Sequence, residues 1–200
     1  MRIQDLTIQE IAQPVRIEDN DHPLLARLRQ SDPTAFDELV LLHQDRVFRL
    51  ARRLLGWNGE AEEVVQEVFF SAYRQIGQFR QESGLSTWLT QITLNQCRSR
   101  QRHRSRWLKW LGKRRPTEPE IAKDAVEQDE TSQQVRHAIQ QLSPADREVI
   151  VLYYLEDRPG KEIAELLQTS AGAIDVRLHR ARQKLKVMLT ALVENSVDER

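Results

Sequence analysis

Much of what this chain can be is bounded by what it has little of. It carries one cysteine, Cys97, so no intrachain disulfide can form and a reducing compartment suits it. Glycine and proline number 7 each in 200 residues, well below the average usage of about 12% for the pair. That scarcity of turn-formers argues against many-stranded sandwiches and barrels, and against a low-complexity disordered chain. The longest apolar run, Val149 to Leu155, is seven residues, far short of the roughly 18 that a spanning helix needs. No basic-then-apolar segment opens the chain, because Asp5 and Glu10 interrupt its first aliphatics. Glycine-rich phosphate loops, HExxH, CxxC and GxSxG are missing. His22, His43, His103, His137 and His179 are scattered and form no ligand pair with Cys97. The expectation is a mostly helical cytoplasmic protein, not an enzyme, with no metal, no cofactor and no stable membrane insertion.

What is there is charge, and it is polarised. Thirty basic and thirty acidic residues cancel. Yet from Arg98 to Arg115 there are nine basic residues and no acid, and from Pro116 to Gln134 six acids face Lys123 alone. The chain turns basic again at Arg177, Arg180, Arg182, Lys184 and Lys186. Two basic blocks around an acidic stretch suit a polyanion such as nucleic acid better than a merely solvated face.

Helical periodicity organises the rest. Residues 1–21 show no clear period and read as an N-terminal extension. Asp32-Pro33 is a cap followed by proline at the first helical position. Val64, Val65, Val68, Phe69, Ala72, Tyr73 and Ile76 then form one apolar stripe near a 3.6 period, with Glu62, Glu63, Gln66 and Glu67 on the other face. Phe79 to Ser86 reads as a polar loop, followed by a helix from about Thr87 into the basic block. Residues 116–133 read as an acidic linker. Ser143-Pro144-Ala145-Asp146 opens a further helix with a cap, a proline and an acid three residues on, and residues 149–154 are its buried centre. Glu162 to Leu167, a turn at Gln168–Gly172 and a helix through about Leu192 make a helix-turn-helix. The predicted fold is all-α: two small helical domains, 22–115 and 134–200, joined by the acidic linker.

The run Ala61-Glu62-Glu63-Val64-Val65-Gln66-Glu67-Val68-Phe69 resembles the core-binding helix of bacterial extracytoplasmic-function (group 4) sigma factors. Ser86-Thr87-Trp88-Leu89, with Ile92, Asn95 and a basic run, resembles that family's next helix, which opens the −10 element. Leu142 to Arg147, Glu162-Ile163-Ala164 and Leu178 to Leu185 resemble its C-terminal domain. The likeness spans residues 24–189 and implies an alternative sigma factor whose first domain, sigma region 2, binds core polymerase and melts the −10 element. The second domain, region 4, would read the −35 element. Its implied partners are core RNA polymerase (the clamp coiled coil of the largest subunit and the flap of the second largest), promoter DNA in double- and single-stranded form, and an anti-sigma factor.

The resemblance implies core-polymerase contacts at Glu63, Gln66 and Glu67. For the −10 element it implies Phe79, Arg80, Gln81, Ser86, Thr87, Trp88, Asn95, Arg98 and Arg102. For the −35 element it implies Ser170, Gly172, Asp175, Val176, Arg177, His179, Arg180, Arg182 and Lys184. The chemistry suits these roles: asparagine can hydrogen-bond a base edge, an aromatic can support a stacked base, and Arg98, Arg100 and Arg102 can follow phosphates. Trp88 and Asn95 lie about 20° apart on ideal helical geometry. Asp175 departs from the family's usual lysine or arginine, and Gly160 from a bulkier residue. Asp175 could accept a hydrogen bond from cytosine N4, lower DNA affinity, or serve as a helix-start acid. Trp107 and Trp110, one turn apart, could pack on the first domain, touch DNA or meet a membrane surface. Two rival readings are a stand-alone helix-turn-helix regulator, which has no need of the acidic α-helical face, and a helical interaction scaffold, which has no need of a basic recognition helix.

Overall fold

The computed structural model describes residues 22–30, 32–56, 60–79, 83–110 and 130–198. The N-terminal extension, Arg80 and Gln81, and nearly all of the acidic linker lie outside the described residues. Those described form helices α1 (His22–Arg29), α2 (Pro33–Leu55), α3 (Ala61–Gln75), α4 (Leu85–Trp110), α5 (Glu130–Gln141), α6 (Pro144–Ile150), α7 (Gly160–Leu166) and α8 (Ala171–Asp198). A 3₁₀ turn over Ile76–Gln78 follows α3, and a π-helical turn over Val151–Leu155 follows α6. No strand occurs among the described residues. They divide into two compact units, one within residues 17–122 and one within 123–200.

In the N-terminal unit α2, α3 and α4 pack on one another, and α1 lies against α2. The start of α2 follows from its cap. The Asp32 side chain accepts from the Thr34 N–H at 3.0 Å and from Thr34 Oγ1 at 2.8 Å, with Pro33 in the first turn. Thr34 and the Arg27 guanidinium hold the Asp32 carboxyl below its ordinary range. Gly56 ends the helix at φ 89°, a conformation other residues avoid.

The core is aliphatic: Leu39, Leu50, Leu54, Val64, Val68, Leu85, Leu89 and Leu94 are almost wholly buried, each side chain contributing about 1.5–3 kcal/mol. Cys97 packs among the buried residues as a small apolar group. Within the α3 stripe, Val64, Val68, Phe69 and Ala72 are buried, but Tyr73 is exposed and meets Phe36 edge-on at 5.1 Å. The stripe is thus narrower than its apolar lettering.

In the C-terminal unit α5, α6 and α7 each pack on α8. Ser143 caps α6, its Oγ accepting from the Asp146 N–H at 3.2 Å. Arg147 then donates to the carbonyls of Ile139 and Leu142 at 3.3 and 3.2 Å, satisfying the open end of α5. Gln168 takes φ 53° in the turn between α7 and α8. Gly172 falls inside the first turn of α8, not in the loop. Ile163, Ile174, Leu178, Ala181 and Leu185 close this second core.

Candidate nucleic-acid interface

The outward row of α3 is Glu63, Gln66 and Glu67, spaced three and four residues to share one face. Arg100 reaches it from α4. Its two terminal nitrogens stand 2.7 Å from Glu63 Oε2 and 2.7 Å from Glu67 Oε1. Hydrogen bonding to Glu67 foremost, with help from Glu63, raises the guanidinium pKa further against the cost of burial. Arg100 therefore faces α3, some 140° around α4 from Asn95 at about 100° per residue. Arg100 is thus engaged within the chain by two carboxylates. Beside this triad an open groove of about 540 Å³ is lined by Glu67, Phe70, Ser71, Gln96, Ser99, Arg100 and His103.

The residues assigned by resemblance to the −10 element divide. Asn95 and Arg102 are exposed on α4; Thr87, Trp88 and Arg98 are half-buried. Phe79 and Ser86 differ from the expectation, for both face inward. Phe79 is 7% exposed, with its ring 5.0 Å from that of Trp88, and its carbonyl accepts from Arg29 at 3.3 Å. Ser86 is buried in the first turn of α4, where its carbonyl accepts from Thr90 Oγ1 at 2.8 Å. An aromatic and a small polar residue around a loop are thus used to seat the start of α4. Trp107 and Trp110 stand exposed near the end of α4, which removes the reading that they pack into the domain.

On α8 the row centred on the exposed face is Gly172, Val176, His179 and Gln183, and all four are exposed; Gln183 is a position that sequence reading missed, although its spacing continues the row. Ser170 caps α8 by accepting from the Ala173 N–H at 3.2 Å. Asp175 is exposed, and its Oδ1 lies 3.9 Å from where a Cβ on Gly160 would stand, an ordinary van der Waals contact beside the start of α7. Arg177 is half-buried.

Arg180, Arg182 and Lys184, assigned by resemblance to the −35 element, each have a partner within the chain. Arg180 and Lys184 both bind the carboxylate of Asp146, at 2.6 and 2.7 Å. Arg182 donates to the Tyr154 hydroxyl at 2.7 Å and lies over the Tyr153 and Tyr154 rings at 5.4 and 5.5 Å. Asp146 is wholly buried. Desolvation pushes its pKa up, but hydrogen bonds from Lys184, Arg180 and Ser143 outweigh it and leave the carboxyl at about 2. The sequence marked Asp146 only as a helix-start acid; nothing local announces partners 34 and 38 residues away.

Among the described residues, no group of three or more His, Cys, Asp or Glu could hold a metal ion, and no helix is long and apolar enough to cross a membrane.

Residues 39–107 match Sigma-70 region 2 and residues 132–185 match Sigma-70, region 4. Over 179 residues the chain is 30% identical to the ECF RNA polymerase sigma factor SigW of Bacillus subtilis, covering 84% of this chain and 96% of SigW. The chain belongs to the extracytoplasmic-function sigma factors. This sigma factor is also 29% identical over 197 residues to the RNA polymerase sigma-H factor of Pseudomonas aeruginosa, covering 90% of this chain and 98% of that one. Among solved structures it resembles the sigma factor RpoE of Bartonella quintana, crystallised with the anti-sigma factor NepR. That likeness has a TM-score of 0.66 at 26% identity and covers 78% of this chain and 96% of RpoE. An alternative sigma factor directs RNA polymerase to particular promoters and acts in transcription initiation, and the stand-alone regulator is not the favoured reading.

Proposed function

We propose that residues 22–115 bind core polymerase through Glu63, Gln66 and Glu67 and open the −10 element, while residues 134–200 read the −35 element. The observation that carries this reading is the α3 row, where two carboxylates and an amide stand outward above a buried stripe. Such a row accepts hydrogen bonds from the cations of a basic helix, the chemistry expected of the clamp coiled coil. Asn95 offers an exposed amide to a base edge, and Arg102, about two turns further along α4, offers a cation to phosphate. Extruding a base costs a few kcal/mol, which stacking and phosphate contacts together can offset. On α8, Val176 and His179 present the exposed centre of a recognition helix. The polymerase supplies all the chemistry, so this chain acts as a specificity subunit in the cytoplasm and not as an enzyme. RpoE's complex with an anti-sigma factor supports a comparable inhibitor for this chain.

The test is co-purification with core polymerase. Arg100 lies between the two acids, so glutamine is the substitution that removes charge without adding repulsion. Glu63→Gln with Glu67→Gln and Gln66→Ala is expected to lose core binding with an unchanged circular dichroism spectrum. Full binding by that folded variant would overturn the assignment. Asn95→Ala is expected to keep core binding but impair promoter melting in permanganate footprints, with transcription restored on a template pre-melted at −10.

A further inference from the structure

The exposed centre of α8 carries almost no free positive charge. Its row of Gly172, Val176, His179 and Gln183 is formally neutral, and the cations lie along its edges. On one edge Arg180 and Lys184 converge on Asp146 at 2.6 and 2.7 Å; on the other Arg182 is stacked on Tyr153 and Tyr154. Among the described residues, Arg177 and Lys186 have no ion pair. A cation held against a carboxylate does not release a counterion from DNA, and counterion release supplies essentially all sequence-independent affinity.

We infer that Asp146 is a specificity-setting residue of the duplex-binding surface. Its buried carboxylate holds Arg180 and Lys184 on the protein and withdraws them from phosphate contact. The inference rests on the reading of α8 as the duplex-binding helix and goes beyond it.

The physical case is one of burial. Arg180 and Lys184 are 56% and 44% exposed in their side chains, whereas Asp146 is at 0%. Leaving for DNA would cost each cation little hydration. It would, however, strand a carboxylate that has no access to water, and breaking such a pair is costly. Phosphate therefore competes for the two cations at a disadvantage that is absent for Arg177 and Lys186. The discrimination between a promoter element and random duplex then falls on the groove-facing side chains, because the indiscriminate term has been reduced.

The test uses the full chain and a scrambled-sequence 30-base-pair duplex, titrated across a range of potassium chloride. Asp146→Asn removes the charge and keeps the shape. It is expected to steepen the slope of log affinity against log salt by up to about 1.8, or about 0.9 for each cation released. Discrimination between promoter fragments and scrambled duplex by the holoenzyme should fall in parallel. Arg180→Gln should restore about 0.9 of that slope in the Asp146→Asn background and change it little in the native one. An unchanged slope in a folded Asp146→Asn protein would overturn the inference. Should Asp146→Asn fail to fold, Lys184→Gln decides the matter. In the native background its slope is expected to shift by far less than one phosphate neutralised, and a shift of the full ~0.9 would overturn the proposal. A holoenzyme that ignores the −35 duplex whatever the variant overturns the reading of α8 itself, and the inference with it.

Discussion

Each unit has a place where three charges from two helices meet, at Arg100 and at Asp146, and the two are mirror images. In the N-terminal unit one cation, Arg100, lies between two carboxylates; in the C-terminal unit one carboxylate, Asp146, lies between two cations. Burial separates them. Arg100 keeps 29% of its side-chain exposure and Glu63 and Glu67 keep 63% and 43%, while Asp146 keeps 0%. Exposed charges can trade partners with water or another protein at little cost, so the first triad suits the proposed polymerase-binding surface. A buried carboxylate cannot. The second triad fixes the geometry of α6 against α8, and its cations are held there.

The comparison breaks most sharply if the buried acid is stranded. Arg180→Met with Lys184→Met is expected to cost about 3–5 kcal/mol, read as a fall in thermal midpoint by circular dichroism at pH 7; near-native stability would mean that Asp146 is not confined. The next effect is pH. The Asp146 carboxyl titrates at about 2 when folded against about 3.9 when unfolded. Its contribution is therefore complete well above pH 4 and lost as the pH falls toward 2, worth about 2–3 kcal/mol. Asp146→Asn should be less stable by about that amount at pH 7 and should flatten the dependence between pH 4 and 2 in urea titrations; an undiminished acid dependence would assign it to other carboxylates. Smallest is the exposed triad. Arg100→Gln should change stability by no more than about 1 kcal/mol, and less at high salt. Tryptophan fluorescence isolates that unit, since Trp57, Trp88, Trp107 and Trp110 all precede the linker. A destabilisation several times larger would erase the distinction between the triads.

The helix starts were legible because capping is local. Asp32 and Ser143 act within three residues of themselves, and each is readable from its own sequence neighbourhood. Buried positions at helical spacing were legible for the same reason, although the outermost ones slipped: Tyr73 stays exposed at the edge of the contact, meeting the Phe36 ring of α2 edge-on. The candidate site was legible in which residues it contains and less so in what they do. Phe79 and Ser86 carry groups that suit nucleic acid, yet they pack inward to seat α4. Arg180, Lys184 and Arg100 carry charges that suit phosphates or carboxylates of a partner, yet each is engaged within the chain.

The sequence by itself determined the helices and their caps, the order of the two units, the polarised charge and the family to which the chain belongs. All of these depend on neighbours within a turn or two, or on motifs that survive as strings of letters. Only the tertiary structure decided which charges are already spent. Coulomb energy depends on separation and on the surrounding medium, not on distance along the chain. Folding brings α8 against α6 and α4 against α3, and only then does Asp146 lose its water and Arg100 find its two acids.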